Sequence, residues 1–337
     1  MKAIFLIILS CFSIFLFPKK ENVVSEVANT TPYYATSYIV MERSTYKIIE
    51  GNNYDEARSV ASISKIMTAI VAIENANLED IVIVPEEIND VYGSMLYLQV
   101  GEEIKLIDLL YGLILRSGND AAISIAIHVG NSLENFVSLM NQKAKYLHME
   151  NSLFVNPHGL DEEDGGNISS AKDMAILHSY ALNNPVYRKI SQAKQYKTYQ
   201  NKNRLLKQYE FCTGGKTGFT TKAKRTLVTS ALKDDLELVV VTLNCGNDFN
   251  FHKALYEKYF QQYEGLIALN SGYNYLDNYL LKVDKDYVFM VRRSQENNLF
   301  LKYEIIKNTK EVKIYLSDSY GMILDEMKIV LDFKINS

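Results

Sequence analysis

The sequence predicts an α+β protein in which helices pack against an antiparallel β-sheet, with a small β-rich domain at the C-terminus. Apolar strand-like segments occur near residue 40 and again between 212 and 245, whereas the chain between them has the periodicity of helices. After residue 262 the recognisable segments are short strands. With 337 residues, 47% of them apolar, the chain is long enough to bury a sizeable core.

The first strand pair is predicted at 36–41 and 46–50, around a turn at Arg43-Ser44. The following segment, "ASISKIMTAIVAIENA", is apolar on most faces, so we expect a helix in the centre of the protein. Gly118 and the capping-type Asn119 mark a break between two further helices. The remaining predicted helices and strands are helices at 104–116, 119–129, 136–149, 169–182 and 249–262, and strands at 212–219, 225–233, 236–245, 287–293, 299–306, 312–316 and 327–333.

The N-terminus has the layout of an export signal. Met1-Lys2 precede an apolar run over residues 3–17, and Pro18-Lys19-Lys20 follow it. A basic start, an apolar stretch too short to span a bilayer comfortably and a polar exit are typical of secretory signals. We therefore expect an exported protein whose residues 1–25 are a signal peptide or an uncleaved anchor, with possible membrane association.

Composition excludes several classes of partner. The net charge is −4 without a basic block, so nucleic acid is not expected to bind. The five histidines form no cluster at ligand spacing, and neither a metal nor a cofactor is predicted. Cys212 and Cys245 should lie at opposite ends of the sheet, because one opens the first strand of a meander and the other closes the third. We expect two free, buried thiols.

Three motifs indicate chemistry. The S-x-x-K pattern occurs five times, but Ser62 and Lys65 begin the predicted buried helix, where residues three apart share a face. A lysine in apolar surroundings must be paired or give up its proton. S-x-N occurs once, from Ser117 to Asn119, and K-T-G occurs once, from Lys216 to Gly218 on a predicted strand. Together and in this order they match the signature of active-site serine penicillin-recognising enzymes.

The chain from about residue 38 to 260 resembles the low-molecular-weight penicillin-binding proteins that are D-alanyl-D-alanine carboxypeptidases. The segments "ASISKIMTAIVAIE", "LLYGLILRSGNDAA", "FVNPHGLD" and "CTGGKTGFT" carry the resemblance. It implies a β-lactamase/transpeptidase-like sheet with an all-helical lobe, a penicillin-binding serine carboxypeptidase domain at 31–262, and an accessory domain at 263–337. It also implies peptidoglycan stem peptides as substrate, β-lactams as covalent inhibitors, and a location outside the cytoplasmic membrane or in the cell wall.

The resemblance assigns roles to individual residues. It makes Ser62 the nucleophile, Lys65 the base that takes its proton, and Ser117 the relay to the leaving D-alanine. Asn119 would hold Lys65 and the substrate amide. The remaining assignments are Lys216 and Thr217 for the terminal carboxylate, Gly218 for the bare strand edge, and the backbone N–H groups of Ser62 and Phe219 for the oxyanion hole.

The sequence departs from the family pattern at three places. Gly166-Asn167-Ile168 occupies the stretch where relatives usually have a His, and Lys224 stands where a Gly commonly precedes an Arg. An Arg that helps to bind the carboxylate in many relatives has no counterpart in "NCGNDFNFH".

Alternatives remain open at this point. A β-lactamase of the same fold is one, and a non-catalytic wall-binding module is another. Glu163 with Asn167 imitates the E-x-x-x-N motif of one β-lactamase class, although their loop favours a solvent-facing acid. His158 lies between Pro157 and Gly159, which favours a fixed loop over a catalytic role.

Overall fold

The computed structural model describes residues 34–162, 165–276, 279–295, 298–306 and 311–330, which form both helices and strands. The strands are β1 (Ala35–Glu42), β2 (Ile48–Asn52), β3 (Arg58–Ser59), β4 (Ile81–Ile83), β5 (Glu103–Lys105), β6 (Asp161–Glu162), β7 (Gly165–Gly166), β8 (Ile168–Ser169), β9 (Gln195–Tyr196), β10 (Tyr199–Gln200), β11 (Cys212–Thr220), β12 (Lys224–Lys233), β13 (Leu236–Cys245), β14 (Tyr263–Leu269), β15 (Gly272–Leu276), β16 (Tyr279–Val283), β17 (Tyr287–Arg292), β18 (Phe300–Ile306), β19 (Glu311–Ser317) and β20 (Ile323–Val330). The α-helices are α1 (Lys65–Asn75), α2 (Leu106–Tyr111), α3 (Asn119–Gly130), α4 (Leu133–Tyr146), α5 (Ala171–Ala181), α6 (Pro185–Gln192), α7 (Leu205–Gln208) and α8 (Asp248–Gln262).

A five-stranded antiparallel sheet with the order β11-β12-β13-β1-β2 forms the centre of the fold. Strand β13 is buried on both faces, since alternate residues of a strand point to opposite sides. Val239 and Val241 join the core that contains α1 and α5, while Leu238 and Val240 join the core that contains α8. Strand β11, which carries the K-T-G motif, lies at the edge. The predicted α+β fold is confirmed.

Helix α1 lies inside the helical lobe, and its residues from Lys65 to Ala72 are all buried. The predicted helix at 61–76 differs at its start, where Ala61–Ser64 form a 3₁₀ turn after Ala61 adopts a left-handed φ of 51°. The predicted helix at 136–149 begins earlier, because Ser132 accepts a hydrogen bond from the backbone N–H of Asn135 and caps it.

The segment between α5 and β11 holds elements that the periodicity did not predict. Helix α6, the short hairpin β9–β10 and helix α7 lie there. The start of α6 carries a recognisable signal, since Asn184 caps the helix and Pro185 occupies its first turn. The short apolar repeats of this region do not reach the length at which periodicity identifies an element.

The residues after α8 form a β-rich module with its own hydrophobic core, which includes Leu281, Phe289, Val312 and Ile314. Strands β17–β20 match the four predicted segments, apart from 331–333, which lie outside the described residues. Strands β14, β15 and β16 were not predicted. The described residues from Tyr34 onwards pack as one compact unit, and a domain boundary at 262 remains a prediction.

Cys212 and Cys245 are free thiols at opposite ends of the sheet, as predicted. The prediction that both are buried is wrong for Cys212, which is half-buried because it opens the edge strand.

No described helix combines the length and apolar character that a bilayer crossing requires.

Candidate active site

The S-x-x-K pair lies where the 3₁₀ turn Ala61–Ser64 passes into helix α1. Side chains three residues apart eclipse one another in a 3₁₀ turn, so the turn directs Ser62 and Lys65 to the same side. The Nζ atom of Lys65 lies 2.9 Å from the Oγ atom of Ser62. Ser62 is half-buried, whereas Lys65 is fully buried.

Lys65 has no carboxylate among its described hydrogen-bond partners. Its Nζ atom contacts the Oγ of Ser62, the Oδ1 of Asn119 at 2.7 Å and the backbone carbonyl of His158. Burial, followed by the positive charges of Lys216 and Lys202, holds the pKa of Lys65 well below its usual value, and Asp120 opposes them. The surroundings therefore favour the neutral amine.

The orientation of Asn119 fixes where the hydrogens of that amine point. The amide Nδ2 of Asn119 donates to the backbone carbonyl of Tyr92, which can only accept, so Oδ1 must face Lys65. The carbonyl of His158 is likewise an acceptor only. A neutral amine that donates its two hydrogens to these oxygens directs its lone pair at the hydroxyl of Ser62.

Ser117 and Lys216 form a second serine-lysine pair. Helix α2 continues as a π-helical turn, Gly112–Arg116, and Ser117 then adopts a left-handed φ of 65°, which turns the chain before α3. The Nζ atom of Lys216 donates to the Oγ of Ser117 at 3.0 Å and to the backbone carbonyl of Thr217 at 2.7 Å. Burial and the charge of Lys202 keep the pKa of Lys216 well below its usual value.

Strand β11 packs directly against the 3₁₀ turn that carries Ser62. The hydroxyl of Thr226, which pairs with Gly218 in the neighbouring strand, donates to the carbonyl of Val60 at 2.9 Å. A Cβ atom at Gly218 would lie 2.4 Å from that hydroxyl and 3.0 Å from the backbone N of Ser62. Only glycine lets the strand approach so closely while it leaves the N–H of Ser62 uncovered. Phe219, the next residue, is 64% exposed.

The loop around His158 packs against the same 3₁₀ turn. Gly159 has a φ of 82°, and a Cβ atom there would lie 2.3 Å from the carbonyl oxygen of Ala61. Asn156 accepts hydrogen bonds from the backbone N–H groups of His158 and Gly159. The imidazole Nδ1 of His158 accepts from Leu160 N, and burial lowers the pKa of His158 to about 3. The site uses the backbone carbonyl of His158 and keeps its ring neutral.

The E-x-x-x-N pattern consists of Glu163 and Asn167. Glu163 lies outside the described residues. Asn167 is buried, and its Oδ1 accepts from the backbone N–H groups of Val155 and Asn156 at 2.8 and 3.1 Å. The prediction of a solvent-facing acid concerns Glu163 and stays a prediction. The amide of Asn167 closes the loop that carries His158.

Two charged residues near the site were not predicted. Asp120 follows directly after the S-x-N motif and is fully buried. Lys202 donates to the Oγ of Ser94 at 2.7 Å, and its charge acts on both buried lysines. A carboxylate at a helix start was the available signal for Asp120, whereas Lys202 lies in the region whose elements were missed.

The turn at Lys224 explains one departure from the family pattern. Lys224 has a φ of 58°, in the left-handed region that favours glycine, and it begins β12. Among the described residues, no group of three or more His, Cys, Asp or Glu side chains is placed to hold a metal ion.

A serine hydroxyl beside a buried lysine, a second serine-lysine pair and a glycine-bearing edge strand form the arrangement expected of the penicillin-recognising class of active-site serine enzymes. The family model for D-alanyl-D-alanine carboxypeptidase matches residues 24–247, and the chain belongs to this family. The family prediction made from the three motifs is thereby confirmed.

Curated relatives include DacF of Bacillus subtilis, 35% identical over 63% of this chain and 58% of its own length. DacC of Escherichia coli is 33% identical over 70% of this chain and 62% of its own length. Both are D-alanyl-D-alanine carboxypeptidases. The chain thus spans about three fifths of the length of these relatives.

Solved structures agree with the fold. Penicillin-binding protein 5 of Haemophilus influenzae has a TM-score of 0.75 at 24% identity, over 90% of this chain and 98% of that one. An evolved penicillin-binding protein homologue of Mycobacterium tuberculosis has a TM-score of 0.65 at 26% identity, over 69% of this chain and 95% of that one. The first match extends the likeness in fold into the β-rich module.

Proposed function

We propose that this protein is a serine-type D-Ala-D-Ala carboxypeptidase that removes the terminal D-alanine from peptidoglycan stem peptides through an acyl-enzyme. The observation that carries the proposal is the 2.9 Å contact between Lys65 Nζ and Ser62 Oγ, together with two acceptor-only oxygens around the same amine. No cofactor takes part in the proposed reaction. Membership of the carboxypeptidase family supports the same activity.

In the acylation step, the Oγ of Ser62 attacks the carbonyl carbon between the last two D-alanines and its proton passes to Lys65. A lysine can act in this way near neutral pH only when its pKa has fallen far from about 10.4. The complete burial of Lys65 and the nearby charge of Lys216 supply that change. Asn119 would keep the lone pair directed at Ser62 until the proton is transferred, and it would hold the substrate amide.

The negative charge of the tetrahedral intermediate would rest on the backbone N–H groups of Ser62 and Phe219. The N–H of Ser62 lies in the first turn of a helix, where it has no intrahelical acceptor. One such donor contributes about 3–4 kcal/mol in comparable enzymes. The open edge of β11 allows an extended stem peptide to pair with it as an added strand.

The terminal carboxylate of the substrate would be bound by Lys216 and Thr217. Burial disfavours the charged form of Lys216, but an arriving carboxylate favours it, so substrate binding would bring a proton to this site. As the C–N bond breaks, Ser117, whose Oγ accepts from Lys216, would relay the proton that Lys65 took from Ser62 to the departing D-alanine nitrogen, which leaves Lys65 neutral again. Water, activated by Lys65, would then release the shortened peptide. β-Lactams would acylate the same serine.

Intact-mass measurement after incubation with a penicillin, combined with D-alanine release from a stem pentapeptide, tests the proposal. We expect a covalent adduct and D-alanine release for the wild type, and neither for Ser62→Ala. Penicilloyl-enzyme hydrolysis many times per second would indicate a β-lactamase instead. Binding of stem peptide without any release of D-alanine would indicate a non-catalytic wall-binding module.

Export belongs to the same proposal. The basic and apolar start of the sequence, together with membership of a family that acts on the cell wall, supports a protein that works outside the cytoplasmic membrane. N-terminal sequencing of the protein recovered from the producing cell distinguishes a cleaved signal from an anchor. Recovery of an intact N-terminus in the cytosol would contradict export.

A further inference from the structure

A loop formed by residues 92–99, here called the 92–99 loop, covers the start of helix α3. The fully buried carboxylate of Asp120 holds it. Oδ2 of Asp120 accepts from the backbone N–H groups of Leu96, Tyr97 and Leu98 at 2.8, 2.8 and 3.2 Å. Oδ1 accepts from Ala121 at 2.9 Å. Among the described residues, no lysine, arginine or histidine forms an ion pair with Asp120.

The backbone of this loop is shaped around the carboxylate. Tyr97 has a φ of 67°, in the left-handed region that a non-glycine residue adopts only with backbone strain. Successive N–H groups converge on one anion when the chain turns in this way. The anion is the chain's own Asp120, so loss of its negative charge removes the partner that the strained loop requires.

The same loop controls the amide of Asn119. The carbonyl of Tyr92 accepts from Asn119 Nδ2, and the carbonyl of Ser94 accepts from the backbone N of Asn119 at 2.7 Å. Leu96 packs against the chain before α3, where a Cβ atom at Gly118 would lie 2.7 Å from its side chain. A displaced loop would therefore release the amide that fixes the hydrogens of Lys65.

We propose that Asp120 is a positioning residue for acyl transfer, which holds the 92–99 loop so that the amide of Asn119 presents its oxygen to Lys65. This inference rests on the proposed function of the site. No described hydrogen bond joins Asp120 to Ser62. Asp120 acts through the loop and Asn119, so its effect on the limiting acylation rate constant, measured at a pH above the acidic limb of the profile, requires Asn119 to be present.

The test uses Asp120→Asn, which keeps the shape but turns an NH₂ donor towards N–H groups in either amide orientation. We expect the acylation rate constant with a penicillin to fall by roughly 10- to 100-fold, the effect of a small misplacement of catalytic groups. In the Asn119→Ala background the same substitution should have little further effect. Additive losses in the double variant would overturn the proposal.

The pH profile of acylation provides a second readout. The charged groups that act on Lys65 are Lys216 of β11, Lys202 of the loop before α7 and Asp120 of α3. His158 is uncharged near neutral pH. Because Asp120 is the member of this set that raises the pKa of Lys65, its neutralisation should move the acidic limb of the profile to lower pH. An acidic limb at the same pH as in the wild type would contradict this arrangement of charges around Lys65.

Asp173→Asn is the matched control. Asp173 is also a buried carboxylate at a helix start, and it accepts from Asn151 N and Ser152 Oγ at 2.8 and 2.7 Å. We expect it to lower the melting temperature without moving the pH profile. If Asp120→Asn does not fold, Leu96→Ala disturbs the loop from its other side and should slow acylation in the same range. Acylation at the wild-type rate would overturn the proposal, whereas an unacylated wild type would overturn the proposed function.

Discussion

The candidate active site and the junction with the C-terminal module each bury a lysine, and the two lysines have different electrostatic surroundings. Lys285 at the junction is 8% exposed, donates to the backbone carbonyl of Ser44 at 2.6 Å and lies 4.5 and 5.1 Å from the ring centres of Tyr46 and Tyr287. Aromatic faces attract a cation. The Nζ atom of Lys65 hydrogen-bonds to three oxygen atoms, and among the described residues no aromatic ring lies over it.

The charged groups that act on the two lysines also differ. Burial lowers the pKa of both lysines. At Lys285, Arg43 adds to this effect while Asp284 and Glu42 oppose it, and the pKa is lowered to about 8. At Lys65, two cations add to burial and one carboxylate opposes it, and the pKa falls well below its usual value. Burial is the largest cause at both sites and is complete at Lys65, and the neighbouring charges widen the difference between the two lysines.

The largest contrast is expected in acylation. Lys65→Ala removes the base and should reduce the acylation rate constant by about 10³-fold or more, as is usual when a member of a catalytic unit is lost. Lys285→Ala leaves the candidate active site intact and should be acylated at the wild-type rate. Time-resolved intact mass with a penicillin measures both. Equal rates in the two variants would remove the distinction between the lysines.

A smaller effect is expected from the glycine that separates strand and nucleophile. Gly218→Ala places a methyl group 2.4 Å from Thr226 Oγ1 and 3.0 Å from Ser62 N, so the strand must move. We expect acylation to slow by roughly 10- to 100-fold. Gly246→Ala is the control, since a Cβ atom there has no neighbour within 4 Å. An unaffected Gly218→Ala enzyme would show that the N–H of Ser62 is not required.

The smallest effect concerns stability. Lys285→Ala leaves the carbonyl of Ser44 without its donor and should cost about 1–3 kcal/mol of unfolding free energy. Lys65→Ala should leave the melting temperature nearly unchanged or raise it, because it relieves the desolvation of an amine and water can enter beside half-buried Ser62. Thermal melts at pH 7 compare the variants. A large loss for Lys65→Ala would assign that lysine a structural role.

The pH dependence of stability sharpens the same comparison. The pKa of Lys285 is lowered to about 8 in the folded protein, against an ordinary value of 10.5. Between these values the unfolded chain binds more protons, so the wild type should gain stability relative to Lys285→Ala as the pH rises from 8 towards 10.5. Below pH 8 the difference should be constant. Denaturant titrations across this range test the sign, and a falling difference would contradict it.

Local patterns predicted much of this molecule. The strands β1 and β11–β13, the central helix α1 and the break before Asn119 all follow from periodicity and from Gly and Asn signals within a few residues. The three motifs predicted the family and the pair Ser62 with Lys65, whereas the contact between Ser117 and Lys216 was not predicted and is a finding of the structure. The segment between 185 and 208 was missed because its elements are too short for a periodic pattern to emerge.

The sequence by itself determined which residue types were available for the chemistry, since three ordered motifs need only short stretches of chain. Tertiary structure decided how they act. The carbonyl of His158, the carbonyl of Tyr92 and the carboxylate of Asp120 reach the site from different segments, and backbone oxygens leave no residue signature. The protonation of Lys65 depends on charges from β11, α3 and the loop before α7. Those distances exist only after folding, because electrostatic interactions depend on separation in space and on burial.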